Sequence, residues 1–512
     1  MTRTNFILIV TDQQRHDSLG CTGNRCAVTP HLDRLAKDRR TLLFQRHIAA
    51  NSVCMPSRAS LLTGLYPGAH GVWYNGVPLP RAGYVPTTTL PIPTSHVAGG
   101  CCPSHIPTLT ELLAGNGYHT ASVGKIHLTP TGSHPALGYE ESTVRWDQDP
   151  GMREWRGPFY GFQSVDLTLG HGEGVGGHYG YWLRENHPEA VAAREATRKA
   201  PRLFPEVEQL YPGGLTSDVH PTTWIGDRAC EYIRGRAGNE QPFFLWVGIP
   251  DPHHPFTPPA DLASEFETHD TMPVGAGPET LLAKPSAYRQ LDGWKVPPAA
   301  VKRIRQYTDA MNHLIDRQVG KIVQTLRETG QWDNTVLIFT SDHGEWLGEH
   351  GLAYKFTVGS ESLNHVPMLM RVPASVAVEL PRQRRVQAAT SHTDLLPTLC
   401  AFSGMIIPQN VHGRGLLERR RTDGVESRPV MVSNYCPRAE HTNFSIYDNR
   451  YRLTWFPRTD ELELYDHHAD PFEVANLAGQ AQHGRRVKRM LDRLQEFHCR
   501  TNVPVSGRVA MW

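Results

Sequence analysis

The chain has no C-x-x-C pair among its nine cysteines, so the thiolate zinc pattern is absent. It has no apolar run long enough to cross a bilayer. It also lacks a charge imbalance: 52 basic and 51 acidic residues leave a net charge of +1, which offers nothing to a nucleic acid or an anionic membrane. Internal repeats and low-complexity tracts are absent, because the 45 Gly and 40 Pro are scattered and mark ordered loops. The odd cysteine count, including the vicinal Cys101-Cys102, reads as reduced thiols rather than a disulfide framework. Phe6 to Val10 is a short apolar run that leads straight into Thr11-Asp12-Gln13. It reads as a first core strand and not as a leader, so the expected compartment is the cytoplasm. What is present is an ordinary soluble composition, 39% hydrophobic and 20% charged, over 512 residues. That length exceeds one ordinary core and predicts two domains.

Near-continuous apolar runs at 5–10, 120–123, 243–247, 335–339 and 368–372 predict parallel strands covered on both faces. Between them Val301, Ile304, Tyr307, Met311, Leu314, Ile315, Val319, Ile322 and Leu326 recur at helical spacing, and Gly330 closes the pattern. Alternation of this kind predicts an α/β fold: a large, mostly parallel or mixed central sheet with helices on both faces. From about residue 420 the pattern changes. Runs at 429–433, 444–447, 451–456 and 462–465 predict short antiparallel strands, with Asp448-Asn449 as a hairpin turn. Val487, Met490, Leu491, Leu494 and Phe497 form one stripe of a closing helix. The expected division is a catalytic α/β domain over 1–420 and a smaller α+β domain over 421–512. Residues 76–105, 128–222 and 255–298, rich in Pro, Gly and His, read as long loops that wall a pocket.

Cys54-Met55-Pro56-Ser57-Arg58 is the most informative stretch. Pro56 suits the first turn of a helix and Gly64 its C-terminal end. Cys54 then falls at a helix N-terminus, where free N–H groups and the dipole favour an anion. Arg58 lies one turn on, on the same face. Two strand ends supply a metal-site candidate beside it. Asp12 and Asp342 are hard oxygen donors, Gln13 adds a carbonyl and His343 a nitrogen. Singly, such residues cap turns; a lone buried cysteine is ordinary core. Their combination with the C-x-P-S-R spacing is what favours chemistry.

That spacing is the recognition core for converting cysteine to formylglycine, and here the chain resembles the type I sulfatases of the alkaline-phosphatase superfamily. The resemblance extends to the D-Q-x-R-x-D-x-L opening at Asp12 to Leu19, the G-K-x-H-L block at Gly124 to Leu128, and the P-H-x-P segment at Pro252 to Pro255. It continues through Thr340 to His350, Lys355, and a C-terminal signature at Leu464-Tyr465-Asp466, Asp470-Pro471 and Asn476-Leu477. It implies a sulfuric ester hydrolase whose nucleophile is a metal-bound formylglycine hydrate made from Cys54 by a formylglycine-generating enzyme. It implies one divalent cation held by Asp12, Gln13, Cys54, Asp342 and His343. Calcium is the usual family metal and suits oxygen ligands. Gln13 and His343 depart from the family's all-acid and Asp-Asn versions, and the nitrogen donor leaves manganese or magnesium open.

By the same resemblance Arg58, Lys125 and Lys355 neutralise the sulfuryl oxygens. His253 protonates the leaving oxygen, with Lys355 beside it, and His127 helps deprotonate the diol. Asn75, after Trp73-Tyr74, contacts sulfate or substrate. His254 is the nearest competitor of His253, and His171, His178 and His220 carry no assignment. Phosphonate monoester and phosphodiester hydrolases of the same superfamily share the formylglycine, the D-Q opening and the D-H metal pair. Their G-K-x-H-L block carries hydroxyl-bearing residues instead, so Lys125 and His127 tilt the chain toward sulfate. A non-catalytic binding protein on the same fold is the reading from another class. Aryl, alkyl and saccharide sulfates all fit as substrates, and a dimer or tetramer stays open.

Overall fold

The computed structural model describes residues 3–81, 105–417, 425 and 427–502. The Cys101-Cys102 pair and the expected domain boundary at 420/421 lie outside them. The main sheet has nine strands in the order Arg385–Val386, Thr41–Phe44, Met368–Arg371, Thr335–Ser341, Asn5–Thr11, Phe243–Gly248, His119–Gly124, Ser164–Leu169 and Gly176–Gly177.

The three central strands Thr335–Ser341, Asn5–Thr11 and Phe243–Gly248 are buried along their whole length, as continuous apolar runs require. Alternate residues of the first strand serve opposite layers. Phe6, Leu8 and Val10 join the cluster that includes Leu61 and Leu62 of the Cys54 helix. Ile7 and Ile9 join Ile315, Val319 and Ile322 of the long helix Pro298–Glu328. The period-2 pleat thus places the Cys54 helix on one face and the long helix on the other. Each fully buried Leu or Ile stabilises the sheet by about 1.5–3 kcal/mol.

Four neighbouring pairs, from Thr335–Ser341 through Ser164–Leu169, run parallel. Their carboxyl ends therefore share one edge of the sheet, where ligands of open α/β sheets collect. Two expectations need correction. Met368–Arg371 was expected to be parallel and runs antiparallel to both neighbours. The chain leaves Thr335–Ser341 at its carboxyl end, folds a loop there without a crossover helix, and re-enters the sheet from that same edge. The stretch 128–222 is no simple insertion: it holds the sheet strand Ser164–Leu169 and the helices His178–Asn186 and Pro188–Lys199.

Inside that stretch Glu173 is buried, accepts from Leu215 N at 2.7 Å through Oε1, and leaves Oε2 unpartnered. Burial pushes its carboxyl up from 4.5 to about 7. The folded chain therefore keeps this proton to higher pH than the unfolded chain. Stability falls as pH rises through the window from 4.5 to about 7, and the cost is fully present above it. Glu173→Gln is expected to raise stability at pH 8 by about 2–3 kcal/mol and to change it little at pH 4. Urea melts at the two pH values check this.

The C-terminal strands Val430–Asn434, Asn443–Tyr447, Tyr451–Phe456 and Glu461–Asp466 form a separate antiparallel sheet. Asp448 Oδ1 accepts from Arg450 N and Tyr451 N, which closes the expected hairpin turn. The helix Gly484–Thr501 covers one face through Val487, Met490 and Leu494. Ala50 and Tyr66, which flank the Cys54 helix, belong to the same apolar cluster, so the second sheet is packed against the segments that flank Cys54.

Candidate active site

Cys54 is the first residue of the helix Cys54–Thr63, and Gly64 ends it at φ 67°. Every side chain of this helix is buried, Arg58 included. The N-terminus therefore points into the protein at the shared strand edge. Asn75 Oδ1 accepts from Met55 N at 3.0 Å, and Ser57 Oγ bonds Asp342 O and, at 2.9 Å, His392 Nδ1.

Five strands deliver groups to this point. Asp12 follows Asn5–Thr11, Asp342 and His343 follow Thr335–Ser341, and Lys125 follows His119–Gly124. His253 and His254 follow Phe243–Gly248, and His171 follows Ser164–Leu169. Gly124 is required at its place: φ is +96°, and a Cβ there would meet Gly248 O at 2.0 Å. Gln13 and His127 also have positive φ, 66° and 61°. Such backbone costs about 1–3 kcal/mol per residue and needs outside support. Gln13 N donates to Asp342 Oδ1 at 3.1 Å. Glu141 accepts from His127 N and, at 2.7 Å each, from Leu128 N and Thr129 N.

Donor atoms of Asp12, Cys54, Asp342 and His343 lie within 4.8 Å of one another, and all four residues are buried. Two carboxylates, an imidazole and the Cys54 side chain form a donor set that fits a divalent cation. Gln13 stands at the rim. Its Oε1 accepts from Lys355 Nζ at 3.0 Å, and its Nε2 donates to His254 Nδ1 at 2.9 Å and to Glu345.

Cations surround the same groups. Arg58 bonds Asp342 at 2.7 Å, Asp12 at 3.2 Å and Lys125 O at 3.0 Å. Lys125 Nζ donates to Asp12 Oδ2 and to His171 Nε2. Lys355 Nζ lies 3.1 Å from Cys54 Sγ and donates to His253 Nε2. A second donor set, Asp12, Cys54, His171 and His253, is thus already served by the two ammonium groups.

These charges set the ionisation states. Burial and the Cys54 sulfur oppose ionisation of Asp12, yet Lys125 and Arg58 hold its carboxyl well below the usual range. Burial alone would raise the Cys54 thiol, but Lys355, Lys125 and His343 bring it well below 9.0. His127 is pushed down to about 3 by burial and by Lys125, and its Nδ1 has no partner. A neutral, buried imidazole beside the Cys54 side chain is placed to accept a proton. His253 is likewise held neutral by burial and by His171.

The eleven residues singled out in the sequence therefore gather in one cluster at the strand edge. Asn75 reaches it by holding the N-terminus of the Cys54 helix. His171 was passed over in the sequence. It stacks on His253 with ring centroids 3.5 Å apart and accepts from Lys125. Its signal is the same as at the other strand ends, a polar residue just past a strand, but Ser164–Leu169 alternates in sequence and lacks the continuous apolar run that marks the others. His178 and His220 are elsewhere. His178 Nδ1 accepts from Leu167 N, and His220 caps the helix Pro221–Gly235.

Among the described residues, no helix is long and apolar enough to cross a membrane. The sulfatase family profile matches residues 4–405, and that of the C-terminal part of N-sulphoglucosamine sulphohydrolase matches 348–500. The uncharacterized sulfatase YidJ of Escherichia coli is 26% identical, over 97% of this chain and 87% of its own. An arylsulfatase of Clostridium perfringens is 25% identical, over 95% of this chain and 92% of its own. The phosphonate monoester hydrolase of Agrobacterium radiobacter shares the fold, with TM-score 0.76 and 24% identity over 98% of this chain and 96% of that one. With the sulfatase profile matching across the whole strand edge that carries Asp12, Cys54, Lys125, His253 and Asp342, the chain belongs to the sulfatase family.

Proposed function

We propose that the protein hydrolyses sulfate monoesters with a formylglycine nucleophile made from Cys54 by a formylglycine-generating enzyme. The observation that carries this is the setting of Cys54. It starts a buried helix, and Lys355 Nζ at 3.1 Å, His343 Nε2 at 3.2 Å and Asp12 Oδ1 at 3.6 Å converge on its sulfur. Asp12, Gln13, Asp342 and His343 would hold one divalent cation together with the modified residue. Calcium is the first choice, and the His343 nitrogen keeps manganese and magnesium as alternatives. When bound, the cation and the formylglycine supply an activated oxygen nucleophile and a Lewis acid.

The remaining work falls to side chains. Arg58 fixes both Asp12 and Asp342, while Lys125 and Lys355 stand where sulfuryl oxygens need neutralising. His127 takes a proton at the nucleophile. His253 Nε2 accepts from Lys355 Nζ, and this pair is placed to supply the leaving oxygen with the ammonium proton. Asn75 holds the helix end and faces substrate beside Tyr74. Seven unpaired cysteines among the described residues support a reducing compartment, the cytoplasm. We assign the catalytic α/β domain to 1–420 and the smaller domain to 421–512.

The experiment is the mass of the tryptic peptide His47 to Arg58, after expression with and without the maturing enzyme, together with turnover of an aryl sulfate and an aryl phosphonate. The thiol-to-aldehyde mass loss, with sulfate turnover rising alongside, is the expected result. Faster phosphonate turnover would move the assignment to the phosphonate hydrolases, whose Gln-containing D-Q opening and D-H pair this site shares. A thiol that persists beside the maturing enzyme would favour a binding protein.

A further inference from the structure

The loop 435–442 joins two strands of the C-terminal sheet, Val430–Asn434 and Asn443–Tyr447, yet it is pinned to the catalytic side. At its start, Asn434 Oδ1 accepts from Ser52 N and Ser52 Oγ, both at 3.1 Å, two residues before Cys54. At its end, Asn443 Nδ2 donates to Thr357 O at 2.7 Å, two residues after Lys355. In between, the His441 ring meets the edge of Phe356, the residue after Lys355, with centroids 4.9 Å apart. The loop is therefore held against the segments that carry the nucleophile and the nearest lysine.

Tyr74 lies near this loop. Asn75 bonds the first turn of the nucleophile helix, so Tyr74 is fixed at its mouth. The half-buried Tyr74 hydroxyl has Cys436, Lys355, Arg438 and Cys54 within electrostatic reach. Arg438 is exposed, and among the described residues no carboxylate pairs with its guanidinium. Glu440, the loop's one acidic residue, forms no ion pair with it. Cations elsewhere around the site are otherwise engaged: Arg58 and Lys125 hold Asp12, and Lys355 holds Gln13 and His253.

We infer that Arg438 and Tyr74 form a subsite for a second anionic group, a carboxylate or a second sulfate, on the alcohol of the ester. This rests on the sulfatase reading of the site. With the scissile sulfate at Cys54 and Lys355, the alcohol leaves past Tyr74 toward Arg438. A neutral alcohol would leave the guanidinium facing water. An anionic substituent would meet a fork of donors suited to planar oxyanions, with the Tyr74 ring beneath the alcohol.

The test compares phenyl sulfate, 4-carboxyphenyl sulfate and 1,4-phenylene disulfate on the matured enzyme, with sulfate release as the readout. Arg438→Ala is expected to lower kcat/KM about tenfold on the two dianionic esters, mostly through KM, and less than twofold on phenyl sulfate. Arg438→Lys should recover part of the loss. A fall confined to the carboxylate or to the disulfate identifies which anion is read, and either supports the subsite. Equal losses on all three substrates, or none on the charged pair, overturn it. Calorimetric binding of the same compounds to Cys54→Ala protein, with and without Arg438→Ala, separates this inference from its premise. If no sulfate ester is turned over but R438A still weakens only the dianions, the sulfatase reading fails and the anion subsite stands. Equal dissociation constants overturn the subsite.

Discussion

Arg58→Ala is expected to destabilise the fold by about 3–5 kcal/mol and to lower kcat/KM by at least about 10²-fold. Arg58 is fully buried between two carboxylates that are themselves fully buried, Asp342 at 2.7 Å and Asp12 at 3.2 Å. Burial opposes its charge, and Asp342 and Asp12 more than restore it. Removing the guanidinium leaves two anions in a low-dielectric site with Lys125 alone facing Asp12, which is the costly way to break a buried ion pair. Arg58→Lys should recover only part of the loss. One ammonium cannot reach Asp342, Asp12 and the Lys125 carbonyl together, as Nε, Nη2 and Nη1 do now. The contrast is the exposed Lys488–Asp492 pair, with side chains 78% and 57% accessible. Breaking that pair with Lys488→Ala should move stability by less than about 0.5 kcal/mol. Urea melts with an unchanged m-value, read beside kcat/KM, check both numbers. A loss below about 1 kcal/mol for Arg58→Ala would mean that water or a rearranged Lys125 reaches these carboxylates.

Much of the site was legible because its residues sit where local rules are strict. Asp12 and Asp342 end apolar strands, and parallel pairing then brings those ends together. Cys54 was readable from Pro56 and Gly64, which bracket a helix, and from the spacing to Arg58. Other features depended on contacts far apart in sequence. Ser164–Leu169 alternates because its neighbour Gly176–Gly177 is short and lies at the sheet edge, so the strand is only partly covered. Without that strand His171 had no context. The antiparallel course of Met368–Arg371 follows from where the preceding loop turns, which its own apolar residues do not encode. Glu141 supports the strained His127 from 14 residues away, and nothing in its local sequence marks it. The same holds for the 435–442 loop, whose place beside Cys54 rests on Asn434 and Asn443 reaching back across 382 and 86 residues.

Cys54→Ala is expected to abolish turnover, by about 10⁴- to 10⁶-fold, with the fold retained. The side chain is buried but small, and the residues around it are held by one another rather than by the sulfur. Asp12 is fixed by Arg58 and Lys125, Asp342 by Arg58 and two backbone N–H groups, and His343 by its own contact with Gly344 O. Cys54→Ser separates attack from release. It leaves one hydroxyl at the same helix N-terminus, beside Lys355, with His127 still placed to take its proton. Attack on a sulfate ester is then retained in part, but a single hydroxyl has no second oxygen from which to expel sulfate. The C54S protein should therefore release one equivalent of alcohol from an aryl sulfate and stop, with the added sulfuryl mass on the peptide His47 to Arg58. Cys54→Ala should show neither the burst nor the mass. Continued turnover by C54S at more than a trace of the matured rate would show that the second hydroxyl is dispensable, and that water reaches the sulfur atom directly in this site.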